Sequence, residues 1–179
     1  MDFDNDKKTF LSKIDKSKKG SIDPVILPLI EKINSLDDYY STSSCSGRIV
    51  LLKESESGRK DKAKWLFVSH DKVDSDKLIY KINKLPDKKN IWFKFEPPII
   101  HISCRNIDAA QKLLDIARPL FKLSGIISTS KNIVEIRGTD RIDTPIKDIS
   151  DNHIRVLVEI SNKKLEKTRK KLKDMGKEL

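Results

Sequence analysis

Ile91-Trp92-Phe93-Lys94-Phe95-Glu96-Pro97-Pro98-Ile99-Ile100-His101-Ile102-Ser103-Cys104 decides how the chain is laid out. The β-branched and aromatic residues on either side of the prolines read as two strands. A proline pair, which donates no backbone N–H to a ladder, parts them. Upstream, Val73-Asp74-Ser75-Asp76 opens a helix that buries Leu78, Ile79 and Ile82 and stops at Leu85-Pro86-Asp87. Before it, residues 48–53 and 64–69 read as two strands joined by a charged hairpin loop over residues 54–61. Downstream, a helix from Ile107 to about Phe121 carries Ala109, Ala110, Leu113, Leu114, Ile116 and Ala117 on one face, with Pro119 cutting its end short. Ser124-Gly125 then turns into strands near Ile126–Ser128 and Ile133–Arg137. Strand, helix, strand thus occurs twice, over residues 64–95 and 99–128, which hints at an internal structural duplication.

Helices are expected at both ends. Residues 4–19 carry Phe10, Leu11 and Ile14 at helical spacing and end at Lys18-Lys19-Gly20. A second helix is expected to open with Asp23 as cap and Pro24 in its first turn, burying Ile26, Leu29, Ile30 and Ile33. Near the other end, Ile154, Leu157, Val158, Leu165, Leu172 and Met175 recur at helical spacing through a very basic segment, residues 150–176. The expected fold is α+β: a mixed sheet built from two strand-helix-strand units, with N-terminal helices and a long basic C-terminal helix. The six glycines are scattered and form no Gly-rich first turn, so a Rossmann-type sheet is not expected.

At 179 residues one domain with a sizeable core is expected over 1–179. No apolar run approaches the length of a bilayer span and the opening residues are acidic, which points to a cytoplasmic protein. Cys45 and Cys104 have no CxxC spacing, so neither a zinc site nor any other metal is expected. A net charge of +10 favours a polyanionic partner such as nucleic acid. The lysines and arginine between Lys163 and Lys173 are either a solvated helix face or an RNA-backbone contact.

The segment Ser41-Thr42-Ser43-Ser44-Cys45-Ser46-Gly47-Arg48 reads as a loop ahead of the first strand. It offers five hydroxyls, a glycine that permits close backbone approach and a guanidinium fork, which suit a carboxylate, a phosphate or a polar cofactor. His70 and His101 can titrate near neutral pH when suitably surrounded, and so can Glu96. Trp65, Trp92 and Phe95 are core residues or stacking surfaces.

Thr42-Ser43-Ser44-Cys45-Ser46-Gly47-Arg48-Ile49, Trp65 to His70, and Lys94-Phe95-Glu96-Pro97-Pro98-Ile99-Ile100-His101-Ile102-Ser103-Cys104 follow one another in an order and spacing that resemble a known family. So do Ser124-Gly125-Ile126, Val134-Glu135-Ile136-Arg137-Gly138-Thr139 and Thr144-Pro145-Ile146. The family is that of the tRNA wybutosine-synthesising methyltransferases, the third protein of that pathway, in its free-standing archaeal form. The resemblance implies an enzyme that uses S-adenosylmethionine to methylate ring nitrogen 4 of the tricyclic wyosine-type base beside the anticodon of phenylalanine tRNA. On that footing His101, His70 and Glu96 are the candidate general bases. Ser43, Ser44, Ser46, Gly47, Arg48, Trp65, Lys94, Ser124 and Gly125 are the candidates for holding the cofactor. A non-catalytic basic RNA-binding module is the rival reading.

Overall fold

A computed structural model describes residues 2–12, 22–56, 59 and 62–179. In chain order its elements are α1 (Phe3–Leu11), α2 (Leu27–Ser35), β1 (Tyr39–Cys45), β2 (Arg48–Lys53), β3 (Lys64–Ser69), α3 (Ser75–Asn83) and β4 (Ile91–Glu96). There follow β5 (Ile99–Cys104), α4 (Ile107–Ala117), β6 (Gly125–Ser128), β7 (Ile133–Arg137), β8 (Ile142–Pro145) and α5 (Asp151–Glu178). They divide into two compact units. The first takes Met1–Ser46, Pro98–Thr139 and Thr168–Leu179, and the second Gly47–Pro97 and Asp140–Lys167.

In the first unit the sheet runs β1-β5-β7-β6 with every neighbouring pair antiparallel. Ile100, Ile102 and Cys104 on β5 and Val134 and Ile136 on β7 alternate with polar residues, so one face of the sheet is apolar. That face is buried with Ile30 and Ile33 of α2, with Ala110, Leu113 and Leu114 of α4, and with Leu172 and Met175 of α5. Asn106 caps α4 by accepting from the Ala109 backbone N–H at 2.8 Å.

In the second unit the order is β3-β2-β4-β8, again antiparallel throughout. Ile49 and Leu51 of β2 and Phe93 and Phe95 of β4 form a core with Leu78 and Ile82 of α3 and Ile154, Val158 and Leu165 of α5. Asp74 caps α3 through the Lys77 N–H at 2.9 Å, and Asn162 of α5 holds the chain before it by accepting from Val73 N and donating to Val73 O, both at 2.9 Å.

The α+β class, the helices at both ends and the absence of a Rossmann-type sheet hold. The strands divide between two antiparallel sheets instead of joining one mixed sheet. Both expected strand-helix-strand runs are present, and each places a third strand between its own two. β2 lies between β3 and β4, and β7 lies between β5 and β6. Two local expectations change, and one strand is new. The serine-rich segment is not a loop but β1, because its backbone pairs with β5 from Tyr39↔Cys104 to Cys45↔Ile99. Asp23 does not cap a helix: it sits in a turn ahead of α2, its carbonyl accepting from Ile26 N and Leu27 N, and Pro28 occupies the helix start. Finally, β8 was not anticipated; it pairs with β4. The expected end of the first helix at Lys18-Lys19-Gly20 and part of the charged hairpin loop lie outside the described residues.

Candidate active site

In the first unit, strand register lines up one row of side chains. Ser43 of β1 stands opposite His101 of β5, His101 opposite Glu135 of β7, and Glu135 opposite Gly125 of β6. Register partners share a sheet face, and alternation places this row on the face away from Ile100, Ile102, Val134 and Ile136. The register slips between Ser41 and Ser43, and the extra residue, Thr42, donates its hydroxyl to the His101 carbonyl at 3.2 Å. A bulge of this kind re-aims the residue beside it. Ser43 Oγ lies 2.9 Å from His101 Nδ1, and His101 Nε2 lies 2.9 Å from Glu135 Oε2. The His101 side chain keeps 30% of its surface exposed and that of Glu135 19%. Arg137 Nη1 stands 3.8 Å from the other Glu135 oxygen. A side chain added at Gly125 would meet nothing within 4 Å, so the row ends at an open position.

Other motif hydroxyls of this unit hold the backbone. Ser46 is buried and donates its hydroxyl to Asp23 Oδ2 at 3.0 Å, while its N–H reaches the same oxygen at 3.2 Å. Ser124 is buried too, donating to the Phe121 carbonyl at 2.6 Å and accepting from Arg137 N–H at 3.3 Å. Ser44 is half-buried opposite Ile100. Burial, with the Asp38 charge adding to it, pushes the Cys104 thiol up to about 12, so this cysteine is an inert packing group.

In the second unit the candidates share the sheet face opposite its core. Arg48 of β2 stands opposite Glu96 of β4 and donates Nε–H to it at 2.5 Å. Its guanidinium carbon lies 4.0 Å from the ring centroid of Trp65 on β3, a stacking contact that a half-exposed indole (48%) leaves open on other sides. Lys94, two residues along from Glu96, is 3.2 Å from both Glu54 and Asp143, so one cation sits between two carboxylates. Arg141 also pairs with Asp143, and this hydrogen bond pushes the Arg141 guanidinium further up. Gly47 has φ 93°, a left-handed backbone that favours glycine, and its carbonyl accepts from His70 Nδ1 at 3.1 Å. The groove beside the start of α3, lined by Phe67, Lys72, Lys77 and Lys81, contains none of the candidates.

The structure therefore gathers Ser43 and His101 in one unit and Arg48, Trp65, Lys94 and Glu96 in the other. Gly125 joins the first set, and Gly47 with His70 forms a further pair in the second unit. Two acids escaped the sequence reading. Glu135 had one signal, a charge at an alternate position of an apolar strand. Asp23 reads in the sequence as a helix cap.

Comparison with known proteins gives this arrangement a family. The sequence profile described as "Methyltransferase TYW3" matches residues 5–179. A Pyrococcus furiosus protein named tRNA(Phe) 7-((3-amino-3-carboxypropyl)-4-demethylwyosine(37)-N(4))-methyltransferase 1 is 38% identical over 164 residues, covering 87% of this chain and 83% of that one. A Methanocaldococcus jannaschii protein named as the same kind of methyltransferase is 36% identical, covering 94% of this chain and 92% of its own. Among solved structures, the PH1069 protein of Pyrococcus horikoshii superposes with a TM-score of 0.88 at 34% identity, covering 98% of this chain and 95% of that one. The chain belongs to the TYW3 methyltransferase family.

Proposed function

We propose that the chain is an S-adenosylmethionine-dependent tRNA methyltransferase. Its target is ring nitrogen 4 of the 7-aminocarboxypropyl-demethylwyosine base beside the anticodon of phenylalanine tRNA. The observation that carries this reading is the match to relatives named for that reaction across most of both chains. The residues of the two sheets suit it. S-adenosylmethionine supplies an activated methyl group on a sulfonium, so the protein's work is alignment and proton removal. Its parts ask for a cation near a carboxylate, an anion near an ammonium and a flat apolar surface for adenine. Arg48, Glu96 and Trp65 offer these three chemistries on one sheet face, with Lys94 as a second cation. Gly47 holds its carbonyl against His70, and Ser46 ties the motif backbone to Asp23. Ser124 holds the turn before β6 through its hydroxyl bond to the Phe121 carbonyl, Gly125 leaves the end of the exposed row open, and Ser44 lies beside that row on β1.

His101 is the proposed general base for methylation at the ring nitrogen, with His70 and Glu96 as alternatives of the same chemistry. The tRNA backbone is met by basic residues of α5. Residues 1–179 work as one methyltransferase domain, although their described part forms two compact units. Among the described residues no helix is long and apolar enough to cross a membrane, and a cytoplasmic setting fits a tRNA substrate.

The test is transfer of labelled methyl from S-adenosylmethionine to phenylalanine tRNA taken from cells lacking this gene, with nucleoside analysis to locate the label. Label on the tricyclic base supports the reading. Binding of that tRNA without transfer would favour the RNA-binding module instead.

A further inference from the structure

We infer that the proton leaves the substrate through a Ser43–His101 relay whose direction is set by Glu135, so that Ser43 Oγ, not an imidazole nitrogen, is the atom that meets the substrate N–H. This rests on the methyltransferase reading above and adds to it a positioning residue and an acceptor atom. Both nitrogens of His101 already have partners, Ser43 Oγ at Nδ1 and Glu135 Oε2 at Nε2, each at 2.9 Å. A carboxylate only accepts, so Nε2 carries the hydrogen. In the neutral ring Nδ1 then holds the lone pair and accepts the Ser43 hydroxyl proton. Of the three groups Ser43 is the exposed one, at the outer end of the row and beside the bulge that aims it.

The step balances. The substrate nitrogen gives its proton to Ser43 Oγ as the Ser43 proton passes to His101 Nδ1. The electron pair left on nitrogen becomes the new N–C bond, and the pair of the broken C–S bond leaves with sulfur. The imidazolium that forms is neutralised by Glu135 across Nε2, and its Nδ1 proton returns to solvent through the exposed Ser43 hydroxyl. Glu135 acts only through His101: it fixes the tautomer and carries the counter-charge.

The chain contains three histidines, His70, His101 and His153, so the ¹⁵N imidazole signals of the full-length protein are few enough to assign with His101→Gln. The wild type is expected to show His101 as the Nε2–H tautomer. Glu135→Gln, which can present an amide N–H to Nε2, is expected to lose that single tautomer. The same change should lower kcat for methyl transfer by about 10- to 100-fold while leaving KM for S-adenosylmethionine and tRNA within about twofold. Ser43→Ala is expected to lose about 100-fold in kcat, whereas Ser43→Thr, which keeps a hydroxyl on a strand position, retains most of it. An Nδ1–H tautomer in the wild type, or undiminished kcat in Glu135→Gln or Ser43→Ala, overturns the relay and leaves the methyltransferase standing. No transfer by the wild type to its tRNA overturns both.

Discussion

Arg48 is held in two ways at once, by a charge-assisted bond to Glu96 and by its flat face against Trp65. A lysine would keep the charge and lose both the fork and the stack. Arg48→Lys is therefore expected to weaken S-adenosylmethionine binding nearly as much as Arg48→Ala, roughly tenfold by titration calorimetry. An affinity unchanged in Arg48→Lys would show that charge alone matters. His101→Ala, by contrast, should reduce kcat by about 100-fold and leave the binding constants within a few-fold, because it removes proton transfer and not a binding contact. At the other end of the same sheet, Asp4 of α1 is paired with Arg105, whose hydrogen bonds hold the Asp4 carboxyl below the ordinary value near 3.8 despite some desolvation. A depressed folded value means that this bond is complete above the ordinary carboxyl range and is lost as pH falls through the lower folded value. Protection factors for amide exchange in α1, corrected for the intrinsic slowing of exchange in acid, should therefore fall on acidification before those of the sheet, and Asp4→Asn should abolish the dependence. Arg48, His101 and Trp65 stand out in the sequence by residue type. Their partners do not, because Glu96 as an ion-pair acceptor and Glu135 as a histidine's partner emerge only from strand register.

The last helix shows how charge in a sequence divides once it is folded. On α5, Lys163 is matched by Glu159 one turn earlier, which holds that carboxyl below and the ammonium above their usual ranges, and Lys164 is matched by Asp140. Asp174 is hydrogen-bonded by Lys177, while Lys170 and Lys173 act on it by charge at longer range. Reversing Lys170 and Lys173 to glutamate should thus reduce the salt dependence of tRNA binding by about 0.7 to 0.9 per lost phosphate contact in a log–log plot, and reversing Lys163 by much less. Equal slopes for both sets would make the helix a solvated surface. The extent of α5 was readable from its apolar spacing, as were β2 and β3, whose bounds match expectation to the residue. β1 was unreadable for a physical reason: serines and threonine favour turns by competing for backbone bonds, and only pairing with β5, far along the chain, makes that segment a strand. β8, with an aspartate and a proline, tolerates such residues because it lies at the edge of its sheet.

Each unit has its own core, yet α5 furnishes both, with Leu165 in the second and Leu172 in the first. Leu165→Ala and Leu172→Ala should each cost about 2–5 kcal/mol. Trp65 and Trp92 both lie in the second unit, so tryptophan fluorescence reports that unit alone. If the molecule unfolds as one cooperative body, Leu172→Ala will lower the fluorescence midpoint in urea as much as the midpoint by circular dichroism. An unmoved fluorescence midpoint would mean two independent transitions. The chain leaves one unit for the other at Ser46–Gly47, Pro97–Pro98, Thr139–Asp140 and Lys167–Thr168, so neither unit is a continuous stretch. For a polypeptide made from its N-terminus this order sets a schedule. β1 waits on the ribosome for β5, β4 waits for β8, and neither core closes until α5 has cleared the exit tunnel. Until α5 is made, the isoleucine- and phenylalanine-rich strands of both sheets lack part of the core that buries them.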